Sequence, residues 1–261
     1  MESFLSSFFG CSHDYVLRPQ DLLKLTKADV LVVNGLGLEK FLGKSLAHIN
    51  PRLRVIEAGR GVEKSLYIRA AVQREWLENQ AGYDLGELNP HTFASPREAA
   101  QMVRYIGVEL GQIDPDNIEL YNRNAARYAA EMEKLVDVFR IVVATFPVRK
   151  IATEHSVFDY LARDVGLDIV AVVEKIPGWE PAASQILDLV KIIKKSGVAA
   201  LFIEPQYKAK IGRAVGRESG VPVAVLDPVA GGPSDTSLDY YQQAMRQNIE
   251  TLKSVLGHGQ N

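Results

Sequence analysis

The stretch EPAASQILDLVKIIKKSGVAALFIE, residues 180–204, decides the fold. Its first part places apolar side chains at helical spacing. Two lysines stand in the last turn, where they suit the helix dipole, and Gly197 is the stop. The part that follows, VAALFIE (198–204), is almost wholly apolar, as expected of a parallel strand covered on both faces. A helix feeding straight into such a strand is the repeating unit of an α/β fold.

The same alternation extends outward. Downstream, YKAKIGRAVGRESG (207–220) reads as a helix, VPVAVLD (221–227) as a strand and SLDYYQQAMRQNIETLKSVLG (237–257) as a closing helix. Upstream, RKIAT (149–153) and DIVAVVE (168–174) are strands around the helix HSVFDYLARDVG (155–166), which Gly166 stops. Near the amino terminus, DLLKLTKA (21–28) is a helix leading into the strand DVLVVNG (29–35), and RLRVIEAG (52–59) is a further strand. PREAAQMVRYIGVELGQI (96–113) is amphipathic, with Ala99, Met102, Val103, Ile106 and Leu110 on one face. Ser95, Pro96 and Glu98 before and in it predict a capping box.

Between the two runs of alternation lies a longer helical pattern. It opens at Asp114-Pro115 and continues to about Phe146, with Leu120, Ala125, Tyr128, Met132, Leu135, Val136 and Phe139 recurring at spacings of three to five. A helix of that length spans about 45 Å, and joining two lobes is a natural use for it. The expected architecture is α/β: two lobes with parallel-type sheets, residues 1–114 and 147–261, joined by one long rigid helix over 115–146.

With 261 residues, 47% of them hydrophobic and 24% charged, the chain suits one large domain or two smaller ones. The net charge is −2 and no lysine or arginine run forms a polybasic patch, which argues against nucleic acid as a partner. No segment approaches the roughly 20 apolar residues needed to span a bilayer. The apolar start MESFLSSFFGC carries Glu2 in place of a basic segment and is a poor signal peptide. Cys11 is the only cysteine, so no intrachain disulfide forms.

Of five histidines, His48 and His258 fall in a polar connection and a tail. The other three stand at element boundaries. His13 precedes the helix near Pro19, His91 precedes the helix capped by Ser95, and His155 follows the strand ending near Thr153. Asp227 ends the strand VPVAVL in the same way. In open α/β sheets, groups just past the carboxyl ends of strands line the crevice where ligands bind. Three imidazoles and one carboxylate make a closed N3O set for a divalent metal, Zn2+ before Mn2+, which usually takes more oxygen ligands. The spacing is far too wide for a zinc finger, so tertiary structure must assemble the site.

SHDYVLRPQDLLKLTKADVLVVNGLGLEKFL (12–42), NPHTFASP (89–96), EHSVFDYLARDVGL (154–167) and ALFIEPQYKAKIGRAVGRESGVPVAVLDPVAGG (200–232) occur in this order. Together they resemble the motifs of the zinc/manganese solute-binding proteins of ABC transporters, over about residues 12–255. The resemblance implies that His13, His91, His155 and Asp227 coordinate the metal between two lobes. A histidine at the third position resembles the zinc-preferring branch; glutamate there goes with manganese. It also implies a periplasmic or membrane-anchored extracytoplasmic location, a membrane permease as partner, and a monomer.

Four features depart from that pattern. Only twelve residues precede His13, where the family has a signal and an opening strand and helix, so the first lobe is expected to lack an edge strand. Asn89 replaces the usual aspartate, and Thr92-Phe93 the usual aromatic pairing. Cys11 stands two residues before His13, where a small residue is usual. The stretch 60–88 has no histidine-rich loop and carries Glu63, Arg74, Glu75 and Glu78.

The expected chemistry is capture and release. Four protein donors leave no open position for the water that catalytic zinc keeps. Ligating histidines must be unprotonated, so affinity should fall as pH drops toward about 6. Glu154 and Glu204 are candidates to orient the imidazoles from behind. A metal-dependent hydrolase is the rival reading, but neither a His-Glu-x-x-His helix nor a Gly-x-Ser-x-Gly elbow appears. An adhesin-like homologue is the second rival. NGLGLE (34–39) lacks the Gly-x-Gly-x-x-Gly spacing of a nucleotide loop.

Overall fold

The structure is a computed structural model that describes residues 15–68, 88–174, 181–206, 209–233 and 237–257. Among these residues two parallel sheets form. The first pairs β1 (Val30–Val33) with β2 (Arg54–Glu57), Val30 lying opposite Arg54. α1 (Pro19–Lys27) and the single turn α2 (Leu46–Ile49) flank these strands in sequence. Leu31 packs with Leu25 of α1 and with Leu42, while Val32 and Val55 stay 42% and 43% exposed on the first sheet.

The second sheet contains β3 (Lys150–Thr153), β4 (Asp168–Val172), β5 (Ala200–Ile203) and β6 (Val223–Val225), in the order β4-β3-β5-β6. The connecting helices are α5 (Asp159–Val165), α6 (Ala183–Ser196) and α7 (Lys210–Ser219). Both faces are covered, which explains the unbroken apolar run at 198–203. Ile151 and Phe202 point to one core with Phe139, Val143, Phe158, Leu161 and Leu252. Ala152, Leu201 and Ile203 point to the other, with Leu189, Ile193 and Val215. Gly166 and Gly197 end α5 and α6 in the left-handed conformation, at φ 84 and 67, as their stop role requires.

The two sheets are separated in sequence by α3 (Pro96–Ile113) and α4 (Ile118–Ala144). The long helix begins later than its sequence pattern suggests. Pro115–Asn117 form a 3-10 turn ahead of it, and the 27 residues of α4 span about 40 Å. α3 and α4 pack closely. A Cβ on Gly107 would come within 2.7 Å of the Ala125 methyl, and one on Gly111 within 2.6 Å of Ile118 Cγ1. The closing helix α8 (Tyr240–Leu256) lies on α4, with Tyr128 Oη donating to Gln242 Oε1 at 3.2 Å. Among the described residues no helix is long and apolar enough to cross a membrane.

Candidate metal centre

The strand order creates the crevice. β4 lies on one side of β3, and the chain then returns across β3 to place β5 on the other. The order therefore reverses between β3 and β5, and groups past their carboxyl ends face a ready cleft. Thr153 is paired with Phe202 and Ile203 with Val225. Continuing that register sets His155 beside Glu204 and Glu204 beside Leu226, with Asp227 one residue further on.

His155 is buried, and its Nδ1 lies 3.4 Å from Glu204 Oε1, just outside hydrogen-bond geometry. Glu204 is itself buried and accepts a hydrogen bond from Gln206 Nε2. Across the cleft stands His91, also buried. The two imidazoles meet edge to face, with ring centroids 4.8 Å apart and planes at 81°. Phe93 closes the other side of His91 at 6.0 Å.

Several devices hold His91 in place. The NGLGLE turn after β1 is built by Glu39, whose carboxylate accepts from Asn34 N at 2.8 Å and Gly35 N at 2.9 Å. Burial raises the Glu39 pKa, against those backbone donors. Leu36 is held at φ 55, a left-handed conformation unusual for a leucine. The turn presents Asn34, whose Nδ2 donates to Pro90 O at 2.7 Å and whose Oδ1 accepts from Thr92 Oγ1 at 3.3 Å. Asn34 thus grips the residues on both sides of His91. Asn89 Oδ1 accepts from His91 N at 3.0 Å and lies 2.7 Å from His91 Nδ1. Sequence reasoning assigned nothing to Asn34. Its only signal was its position at the end of β1.

The expected capping box is not closed. Ser95 Oγ accepts from Arg97 N at 3.3 Å as an N-cap, but Ser95 N donates to Thr92 O at 3.2 Å. Glu98 turns away to Arg163 of α5. Burial, and then the neighbouring Asp164, push the Glu98 pKa up to about 8. Burial also acts on Asp164, but hydrogen bonds from Glu98 and Ser95 and the Arg163 charge outweigh it and lower its pKa.

Asp227 is half-buried in the loop after β6. Asn248 of α8 holds its backbone from both ends: Asp227 N donates to Asn248 Oδ1 at 2.8 Å, and Asn248 Nδ2 donates to Asp227 O at 2.7 Å. Asp227 Oδ1 accepts from Val229 N at 2.8 Å, in a turn where Val229 is forced to φ 61. The other oxygen, Oδ2, faces Tyr240 Oη at 3.5 Å. Burial raises the Asp227 pKa, against the Val229 and Tyr240 donors.

The structure thus brings His91 and His155 together and sets Asp227 two strand positions from His155, about 10 Å at the Cα level. Among the described residues no three His, Cys, Asp or Glu side chains already stand close enough to enclose a metal. His13 and Cys11 lie outside the described residues, as do Arg74, Glu75, Glu78 and His258. Tyr15, two residues after His13, is buried on Phe41 and donates to Asp21 Oδ2 at 2.5 Å, which anchors the chain entering α1. His48 is exposed. Of the two carboxylates expected behind the imidazoles, Glu204 faces His155, whereas Glu154 packs against Gly212 of α7. Burial, with the charges of Glu174 and Glu204, pushes the Glu154 pKa up to about 7.

Two parallel sheets, a long helix between them in sequence, and a buried imidazole pair at the strand-order reversal describe a two-lobed α/β protein with a candidate metal-binding cleft. The chain belongs to the family of the periplasmic zinc-uptake complex component A, whose model matches residues 9–255. It is 26% identical over 256 residues to the zinc-binding protein AdcA of Streptococcus pyogenes, covering 92% of this chain and 49% of AdcA. It therefore spans about half the length of that relative. It is 26% identical over 248 residues to the high-affinity zinc uptake system protein ZnuA of Bacillus subtilis, covering 94% of this chain and 77% of ZnuA.

Among solved structures, a zinc-bound ZnuA deletion mutant superposes with a TM-score of 0.78 at 25% identity, covering 96% of this chain and 86% of that one. The solute-binding protein FpvC of Pseudomonas aeruginosa with Mn2+ superposes with a TM-score of 0.77 at 29% identity, covering 96% and 88%. The laminin-binding adhesin Lmb of Streptococcus agalactiae shares the fold, with a TM-score of 0.79 at 23% identity over 95% of this chain and 88% of that one.

Proposed function

We propose that this chain captures a divalent transition metal, zinc first, in the cleft between its lobes and delivers it to an ABC-type permease outside the cytoplasm. His13, His91, His155 and Asp227 are the ligands in this reading. The His91–His155 pair carries it: two buried rings with centroids 4.8 Å apart, each at the mouth of a different lobe. Neutral imidazoles are the commonest ligands of such metals, and one cation can take a nitrogen from each ring.

Three nitrogens and one carboxylate oxygen suit tetrahedral zinc better than manganese. The Asp227 geometry points the same way. Val229 N engages Oδ1 at 2.8 Å, and Oδ2, with only the longer 3.5 Å contact from Tyr240, is the better placed oxygen for a metal, where manganese favours more oxygen donors. With four protein donors the ion has no position for a reactive water, so the activity is binding and release. Moving His13 and Asp227 relative to the imidazole pair would open the shell for delivery.

The test is His155→Ala. Zinc affinity, read by competition with a chromophoric chelator, should weaken at least about tenfold while the fold persists. Equal affinity in the two proteins would remove His155 from the site. Parallel titrations with Mn2+ rank the metals.

A further inference from the structure

We propose that Asn89 is a positioning residue. It sets which ring nitrogen of His91 meets the metal and ties the His91 loop to the His155 loop, with Asp159 fixing the direction of its amide. This rests on the reading of His91 and His155 as ligands.

Asn89 is 1% exposed, and its amide bonds on both sides. Nδ2 donates to Ser156 O at 2.8 Å and to Asp159 Oδ2 at 3.0 Å. A carbonyl and a carboxylate only accept, so the NH2 group must point there. On the opposite side the backbone N–H of His91 only donates, and it lies 3.0 Å from Oδ1. Neighbours on both sides thus dictate one amide orientation.

The consequence falls on the ring. His91 Nδ1 is 2.7 Å from the same Oδ1, which has no proton to give. Nδ1 must therefore carry the hydrogen, and in the neutral imidazole the lone pair sits on Nε2. Zinc takes an unprotonated ring nitrogen, so Asn89 selects Nε2 as the ligand atom. Because Ser156 follows His155 directly, the same amide joins the two imidazole loops into one half-site. The backbone reinforces it: Asn89 O accepts from Tyr160 Oη at 2.8 Å, and Asn89 N donates to Ile68 O at 2.8 Å.

The network also explains why an amide suits residue 89 better than a carboxylate. A carboxylate there would still accept from His91. Its second oxygen, however, would face Ser156 O and the Asp159 carboxylate, acceptor against acceptor. In this chain the negative charge sits one residue further out, on Asp159.

The experiment uses the whole chain, zinc-free, with 15N-labelled histidine. The His91 resonances should show a protonated Nδ1 and an unprotonated Nε2. Chelator competition is then run on the wild type, H91A, Asn89→Leu, Asn89→Asp and the Asn89→Asp/Asp159→Asn double variant. Asn89→Leu should weaken zinc binding roughly 10–100-fold. Asn89→Asp should also weaken it, and the double variant should recover much of that loss. A wild-type His91 protonated on Nε2 would overturn the proposal without any variant having to fold. So would wild-type zinc affinity in Asn89→Leu when H91A has lost it. Unchanged affinity in H91A would instead bring down the ligand reading itself.

Discussion

Replacing Glu98 by glutamine tests how the buried charges between α3 and α5 are settled. Glu98 has no exposed surface and shares Arg163 with Asp164, whose Oδ2 also accepts from Ser95 Oγ at 2.6 Å. Arg163 is shared between the two carboxylates and Arg97 reaches only Asp164, at 3.3 Å, so Glu98, desolvated and beside the Asp164 charge, keeps its proton, with a pKa of about 8 against an ordinary 4.5. Its folded pKa lies above the unfolded one, so the stability it contributes is full below the unfolded value and is lost as pH rises through the folded value. The slope is about 1.4 kcal/mol per pH unit across that window. Between about pH 6 and about pH 8 the wild type should lose about 2 kcal/mol through this group, or about 4–5 °C in melting temperature.

Glutamine keeps the shape, can donate to Asp164 as the protonated acid does, and has nothing to ionise. E98Q should match the wild type within about 1 kcal/mol at the acid end and be the more stable protein at the alkaline end. Urea unfolding of zinc-free protein across the range measures the difference, and it cancels groups common to both chains. Parallel curves for the two proteins would refute the reasoning. So would a uniform loss of about 3–5 kcal/mol in E98Q, which would mean an ionised Glu98 paired with Arg163.

Zinc at about one hundred times its dissociation constant should stabilise the folded chain by about 2.7 kcal/mol, seen as a melting shift that a chelator reverses. No shift in either direction would count against a folded-state site. Asn248→Ala removes both hydrogen bonds that clamp the Asp227 backbone. It should cost about 1–3 kcal/mol and weaken zinc binding, whereas affinity equal to wild type would show that Asp227 does not depend on the clamp. Phe202→Ala, at a fully buried strand position between two covered faces, should cost about 3–5 kcal/mol in denaturant unfolding, and a loss below about 1 kcal/mol would contradict the packing described.

The elements were legible in the sequence because their signals are local. Apolar runs, helical spacing and terminal glycines marked β3 to β6 and α5 to α8 within a few residues, and four distinct motifs in a fixed order carried the family resemblance. The positions of His91, His155 and Asp227 at strand or helix ends were legible for the same reason. What the sequence left open depends on pairs distant along the chain. The order β4-β3-β5-β6 decides which strand ends share a cleft, and no local pattern encodes it. Glu98 looked like a helix cap and became the partner of a residue in another helix, because the Arg163 guanidinium outcompetes a backbone N–H already satisfied by Thr92. Nothing local assigned a contact to Asn34 or to Asn89. Folding brought Asn34 to Pro90 and Asn89 to Asp159, contacts that side chains make only once the layers have packed.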